Sequence, residues 1–192
     1  MDALVSRSTG EMTKVKVYTD PRTGAKMAPG AGWNYNPGRA AYFPDLDRYE
    51  YTVAKNWISG GLTGPDFERF YQGRLGGNFP VAVLDKQYRA LLDAKTQAVY
   101  LSSQTLAKNR LKHPDLAIAD YRLLPGIIAE AQLVIEEKGQ YLLFVKRDEK
   151  LYYAVVKATS NRKELFLTSF RRTGERDLRD AMRKGHVIKN EL

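Results

Sequence analysis

Cysteine is absent from this 192-residue sequence, and histidine occurs only twice, as His113 and His186. Without thiols there are no disulfides and no thiolate metal sites, and two imidazoles argue against zinc. No metal or other cofactor is therefore expected. No hydrophobic run approaches the roughly 20 residues that span a bilayer, and residues 1–10 lack the apolar core of a secretory signal. A membrane partner is not expected either. What is present suffices for a core, since 43% of the residues are hydrophobic. Basic residues outnumber acidic ones, 31 to 22, for a formal net charge of +9. Residues 1–100 hold 13 basic and 10 acidic residues, and residues 101–192 hold 18 and 12. The surplus thus lies mainly in the second half. Clustered lysine and arginine displace condensed counterions from a phosphate backbone, so the charge favours a polyanionic partner, with a merely soluble basic surface as the alternative.

The patterning divides the chain into three. Residues 1–44 are rich in Gly, Pro, Thr and Asn and read as an extended connector. Lys14, Val15, Lys16, Val17 and Tyr18 alternate like a short strand, residues 19–24 read as turns, and Trp33 and Tyr35 could pin the arm by burying their rings. Residues 45–98 read as a small, mostly helical adaptor. Leu46, Tyr49, Val53 and Trp57 fall on one helical face that Gly60 and Gly61 should end. Asp66 is placed to cap a short helix, residues 81–84 suit a strand, and residues 85–93 suit another helix.

Residues 99–192 form the third part, expected as an α+β unit of helices followed by a small antiparallel sheet. Ser102 or Ser103 suits an N-cap, and Pro114 should stop that helix. Asp115 could cap a second helix with Leu116, Ile118, Tyr121, Leu124, Ile127 and Ile128 as its apolar stripe. YLLFVK, LYYAVVKAT and ELFLTSFRR then read as strands, and Glu175–Lys184 as a last helix with Arg176, Arg179 and Arg183 on one stripe.

Candidate chemistry follows from residue type and spacing. His113 ends a helix, where the dipole favours its protonated form, and an imidazole is the natural acid or base near neutral pH. His186 reads as a cap of the last helix. Thr105, Lys108 and Lys112 share a helical face, which is either a phosphate-binding surface or a solvated one. On the sheet, a two-residue period puts Tyr153, Lys157 and Thr159 together. It puts Leu165, Leu167, Ser169 and Arg171 on one side of the next strand, and Phe166, Thr168, Phe170 and Arg172 on the other.

The segments LSSQTLAKNRLKHPDL, DYRLLP and YYAVVKATSNRKELFLTSFRR resemble the phage-borne barnase–EndoU–colicin–RelE-like nucleases. These domains lie at the C-terminus of Mu-type head morphogenesis proteins, and the GWNYNPG motif of residues 32–38 resembles the tail of such a protein. The resemblance implies a metal-independent, toxin-type endoribonuclease that cuts transfer RNA or another structured RNA by attack of the 2′-hydroxyl. It implies a cytoplasmic site of action, or carriage in a phage particle beside capsid proteins, and a cognate acidic immunity protein. In such a site His113, Lys157, Arg171, Ser169 and Lys108 would be catalytic, and Lys112, Tyr153, Thr159, Arg172 and Arg179 would hold the nucleic acid. A non-catalytic nucleic-acid-binding module and a capsid-associated structural module are the alternatives.

Overall fold

The computed structural model describes residues 45–192 in full; of residues 1–44 it describes the backbone of five strands. These are β1 (Asp2–Ser6), β2 (Met12–Lys16), β3 (Tyr18–Thr19), β4 (Lys26–Met27) and β5 (Tyr42–Pro44). The segment expected as a connector therefore holds a three-stranded antiparallel sheet, ordered β2-β1-β5, and a β3-β4 pair. The turns expected after Thr19 and the motif with Trp33 and Tyr35 lie outside the described residues.

A 3₁₀ turn at Leu46–Arg48 opens the main body. It is followed by α1 (Tyr51–Leu62), α2 (Pro65–Tyr71), β6 (Asn78–Val83), α3 (Lys86–Leu91), β7 (Ala98–Ser102) and α4 (Ser103–Lys112). Then come α5 (Ile118–Tyr121), α6 (Leu124–Ala129), β8 (Leu133–Glu137), β9 (Tyr141–Arg147), β10 (Leu151–Ala158) and β11 (Leu165–Arg172). The chain closes with α7 (Glu175–Lys184) and β12 (His186–Asn190). Seven strands form one mixed sheet in the order β12-β8-β9-β10-β11-β7-β6, in which only β11 and β7 run parallel. The α+β class expected from the sequence is the class observed.

Local chemistry explains most element ends. Ser102 caps α4 by accepting from the Thr105 N–H at 3.0 Å, and Pro114 lies just past its end at His113. Asp85 caps α3 through the Gln87 N–H. Asp66 does not cap α2: Gly64 holds that position, Pro65 opens the helix, and Asp66 lies in its first turn. Helix α1 runs through Gly60 and Gly61, where a stop was expected, because Ala54, Ile58 and Leu62 form its buried stripe. Val53 and Trp57 lie on its outer side, at 51% and 37% exposure. Asp115 caps nothing, and the single helix expected after it is two. Pro125 has no N–H to reach back four residues, so the chain restarts as α6. Strand β8 and the turn into β9 went unread in the sequence. Lys138 and Gly139 both have positive φ there, the geometry of a tight hairpin that glycine favours. His186 does not cap α7 but begins β12, opposite Glu136. Gly185 permits that return, since a Cβ there would stand 2.3 Å from Ile135 and 2.9 Å from the Glu136 carbonyl.

One face of the sheet is covered by α1, α2, α5 and α6, and the main core lies between them. Ile58, Phe67, Phe70 and Phe79 from residues 45–98 belong to the same buried cluster as Tyr121, Phe144, Tyr152 and Phe170. Strand β6 pairs with β7 across the boundary expected near residue 98. The other face carries a smaller cluster of Leu133, Ile135, Leu143 and Val145 under Leu178 of α7. A fragment of residues 99–192 should therefore show no cooperative thermal unfolding, because it exposes the apolar surface that residues 45–98 bury. Near-ultraviolet circular dichroism of that fragment against the whole chain checks this.

Candidate nucleic-acid interface

Strand β7 accompanies β11 only at Leu165 and Phe166 and then gives way to α4. The second half of β11 is left with an open backbone edge at Phe170. Asn109 fills it. Its side-chain amide donates to the Phe170 carbonyl at 2.7 Å and accepts from the Phe170 N–H at 3.3 Å, as a neighbouring strand would. The same amide group also donates to the Tyr121 hydroxyl at 2.7 Å. With Leu106 and Asn109 turned inward, Thr105, Lys108 and Lys112 face a groove between α4 and the sheet.

Strand β11 is out of step with a simple two-residue period. Its register against β10 shifts between Val155 and Val156, which face Ser169 and Leu167, so Thr168 is an extra residue. Past that bulge the faces exchange. Leu165, Leu167, Phe170 and Arg172 lie on the core side, and Phe166, Thr168, Ser169 and Arg171 on the other. Arg171 pairs with Tyr153, and Ser169 with Val155.

The groove holds about 500 Å³ and is lined by Thr105, Lys108, Asn109, Lys112 and His113 on one side. Tyr153, Val155, Thr168, Ser169 and Arg171 line the other. Six expected site residues thus converge: His113, Lys108, Ser169 and Arg171, with Lys112 and Tyr153. No carboxylate lines it among the described residues. Lys108, Lys112 and His113 have no hydrogen-bonded or ion-paired side-chain partner there either. Arg171 is held from behind, 3.3 Å from Asp177 on α7 and 4.7 Å from the Tyr153 ring centre. Burial pushes the Tyr153 phenol up, against the opposing pull of Arg171, so it remains a proton donor at neutral pH.

The other four expected residues lie elsewhere. Lys157 is on the same sheet face but beyond the lining, 5.2 Å from the Tyr141 ring centre. Thr159 closes the turn after β10, bonding Asn161 at 2.8 Å. Arg179 is exposed on α7. Arg172 was moved to the core side by the bulge, where it meets Asp120 at 3.1 Å and Asp115 at 3.5 Å. Asn109 and Thr168 were missed. Asn109 follows Lys108 in a helix of modest amphipathicity, and nothing in its spacing marks it as buried. A bulge leaves no residue-type signature here.

Among the described residues no group of three or more His, Cys, Asp or Glu side chains is placed to hold a metal ion. No helix among them is long and apolar enough to cross a membrane.

Asp120 anchors the support beneath the groove. Burial alone would raise its pKa, but the Tyr152 hydroxyl at 2.6 Å, the Ala117 N–H at 2.7 Å and Arg172 together hold it below the usual carboxylate range. A depressed native pKa gives stability that is present above the unfolded value near 4 and lost as pH falls through the native one. Asp120→Asn should cost about 1–3 kcal/mol at pH 7, and the gap to the parent should narrow toward pH 2. Urea unfolding across that range checks both expectations.

Comparison of the chain with protein-family models, with curated proteins and with solved structures returned no match, so the chemistry of the groove carries the functional reading.

Proposed function

We propose that the chain is an endoribonuclease of the metal-independent type, and that the groove between α4 and β10–β11 receives the scissile phosphodiester. The observation that supports this best is the lining itself: Lys108, Lys112, Arg171 and His113 around one space, with hydroxyls from Thr105, Thr168 and Ser169. A phosphodiester carries the complementary charge, and the hydroxyls and the Asn109 amide group suit its oxygens.

The reaction needs a proton acceptor and charge stabilisation more than covalent help. His113 takes the proton of the ribose 2′-hydroxyl as its oxygen attacks phosphorus. Arg171 and Lys108 balance the charge that grows on the phosphorane oxygens. The bond to the 5′-oxygen breaks in line with that attack, and the departing oxygen takes a proton from solvent. The products are a 2′,3′-cyclic phosphate and a 5′-hydroxyl, and His113 returns its proton to water. Transfer RNA or another folded RNA as substrate, action in the bacterial cytoplasm or carriage with a phage particle, and an acidic immunity partner are proposed on the sequence resemblance. RNA binding without cleavage is the second reading. One observation favours it: the groove offers a single imidazole and no carboxylate, so only one side chain is suited to proton transfer at neutral pH.

Incubation of purified protein with total RNA, resolved on a denaturing gel, separates the two. Discrete cleavage is expected, with 2′-deoxy substitution at the cut site abolishing it and EDTA leaving it unchanged. His113→Ala should lower turnover roughly 100-fold, and Arg171→Ala about 100- to 1000-fold. Arg179→Ala, on exposed α7, should weaken binding slightly at unchanged turnover. Bound but intact RNA would establish the binding module. Loss of cleavage in EDTA with recovery on adding a divalent ion would refute the metal-free route.

A further inference from the structure

The sheet face that floors the groove continues past its lining. Along β10 that face carries Tyr153, Val155 and Lys157 in turn, and same-face neighbours on a strand are about 7 Å apart. Its two ends repeat one chemistry. At the groove end Arg171 lies over Tyr153; one row beyond Val155, Lys157 lies over Tyr141 of β9, with Phe166 of β11 on its other side.

Phe166 has no structural explanation of its own. Every other aromatic ring on β6, β7, β9, β10 and β11 belongs to, or packs against, one of the two apolar clusters of the described residues. Phe166 belongs to neither and has no ring partner among those residues, although it is partly exposed on the open face. Lys157 beside it has no ion-pair partner among them. Glu137 of β8 faces Tyr141 of β9 and ends this row two strands from Lys157, without forming an ion pair with it. A flat apolar ring next to an unpaired cation, continuous with a cationic groove, suits a nucleotide: the base stacks on the ring and the phosphate meets the ammonium.

We infer that Tyr141, Lys157 and Phe166 form a second nucleotide subsite, which takes a nucleotide flanking the dinucleotide step held in the groove and makes unpaired RNA the substrate. This rests on the proposed function of the groove. A base already stacked and paired in a duplex cannot lie on Phe166, so the reactive stretch is single-stranded, as in a loop of a folded RNA. Lys157 then binds the flanking phosphate and is not a group of the reaction centre.

The test compares the binding of a 2′-O-methyl dinucleotide and a 2′-O-methyl pentanucleotide, which cannot be cleaved, by fluorescence anisotropy. Lys157→Ala and Phe166→Leu should each weaken pentanucleotide binding about tenfold and leave the dinucleotide unchanged. Lys157→Ala should also reduce the salt dependence of pentanucleotide binding by about one unit of slope. Phe166→Leu keeps apolar bulk and loses the flat face, whereas Phe166→Tyr keeps the face and should retain affinity. Equal losses for both lengths would place Lys157 at the groove and overturn the subsite. So would variants that bind both lengths like the parent. A parent protein that binds neither oligonucleotide would overturn the groove reading as well.

Discussion

The groove depends on one side chain that completes a sheet. Where β7 turns away, the N–H and C=O of Phe170 would be buried without partners, and each such group costs free energy comparable to a lost hydrogen bond. Asn109 supplies a donor and an acceptor in the spacing of a peptide unit and satisfies both. An aliphatic residue could fill the volume but not the edge. Because the amide faces the strand, the orientation of α4 about its own axis is set, and with it the direction of Thr105, Lys108 and Lys112. The bond to Tyr121 extends the constraint to α5, and the Tyr121 ring packs edge-on against Phe170, 5.1 Å between centres. Helix, strand and groove wall therefore hold one another in place.

The bulge at Thr168 does the corresponding work on the opposite wall. Two consecutive arginines end β11, and an undisturbed strand following Leu165 and Leu167 would have sent Arg171 into the core and Arg172 to the groove. The extra residue exchanges them. Arg171 reaches the groove across from Tyr153, and Arg172 reaches Asp120, which is already committed to Tyr152 and to the start of α5. Phe170 between them stays in the core, stacked on Tyr152 at 5.8 Å.

That exchange shows what the sequence can and cannot reveal. Regular elements were legible because their signals are local: the Ser102 cap, Pro114, the alternation of β10 and the span of α7 all depend on a few neighbouring residues. The positions of His113, Lys108 and Lys112 followed from helical spacing alone. The faces of β11 did not, since strict alternation holds only while the register is unbroken, and the bulge is set by pairing with β10. Asn109 was illegible for the same kind of reason: its partner is 61 residues away. The joining of residues 45–98 to the rest was also hidden, because Phe67 and Phe70 gain their meaning from Phe79 and the strands beyond it.

Charge distribution decides what the groove asks of a ligand. Asp120 and Asp115 are engaged by Arg172, and Asp177 by Arg171 from outside the lining. The carboxylates near this end of the molecule are thus spent on arginines that need holding, while Lys108 and Lys112 meet no counter-charge among the described residues. Like charges placed together repel, and in a free protein only solvent and salt screen them. Such an arrangement is a standing cost to folding that a bound polyanion relieves, and anything that binds the folded state alone stabilises it. The cost is tolerable because each lysine is exposed to solvent and salt that screen it. Arg171, less exposed and therefore less well screened, is the cation given both a carboxylate and an aromatic ring. The difference separates two roles across the groove: a guanidinium held on the sheet wall that defines where a phosphate must lie, and exposed ammonium groups on the helix wall that draw it there.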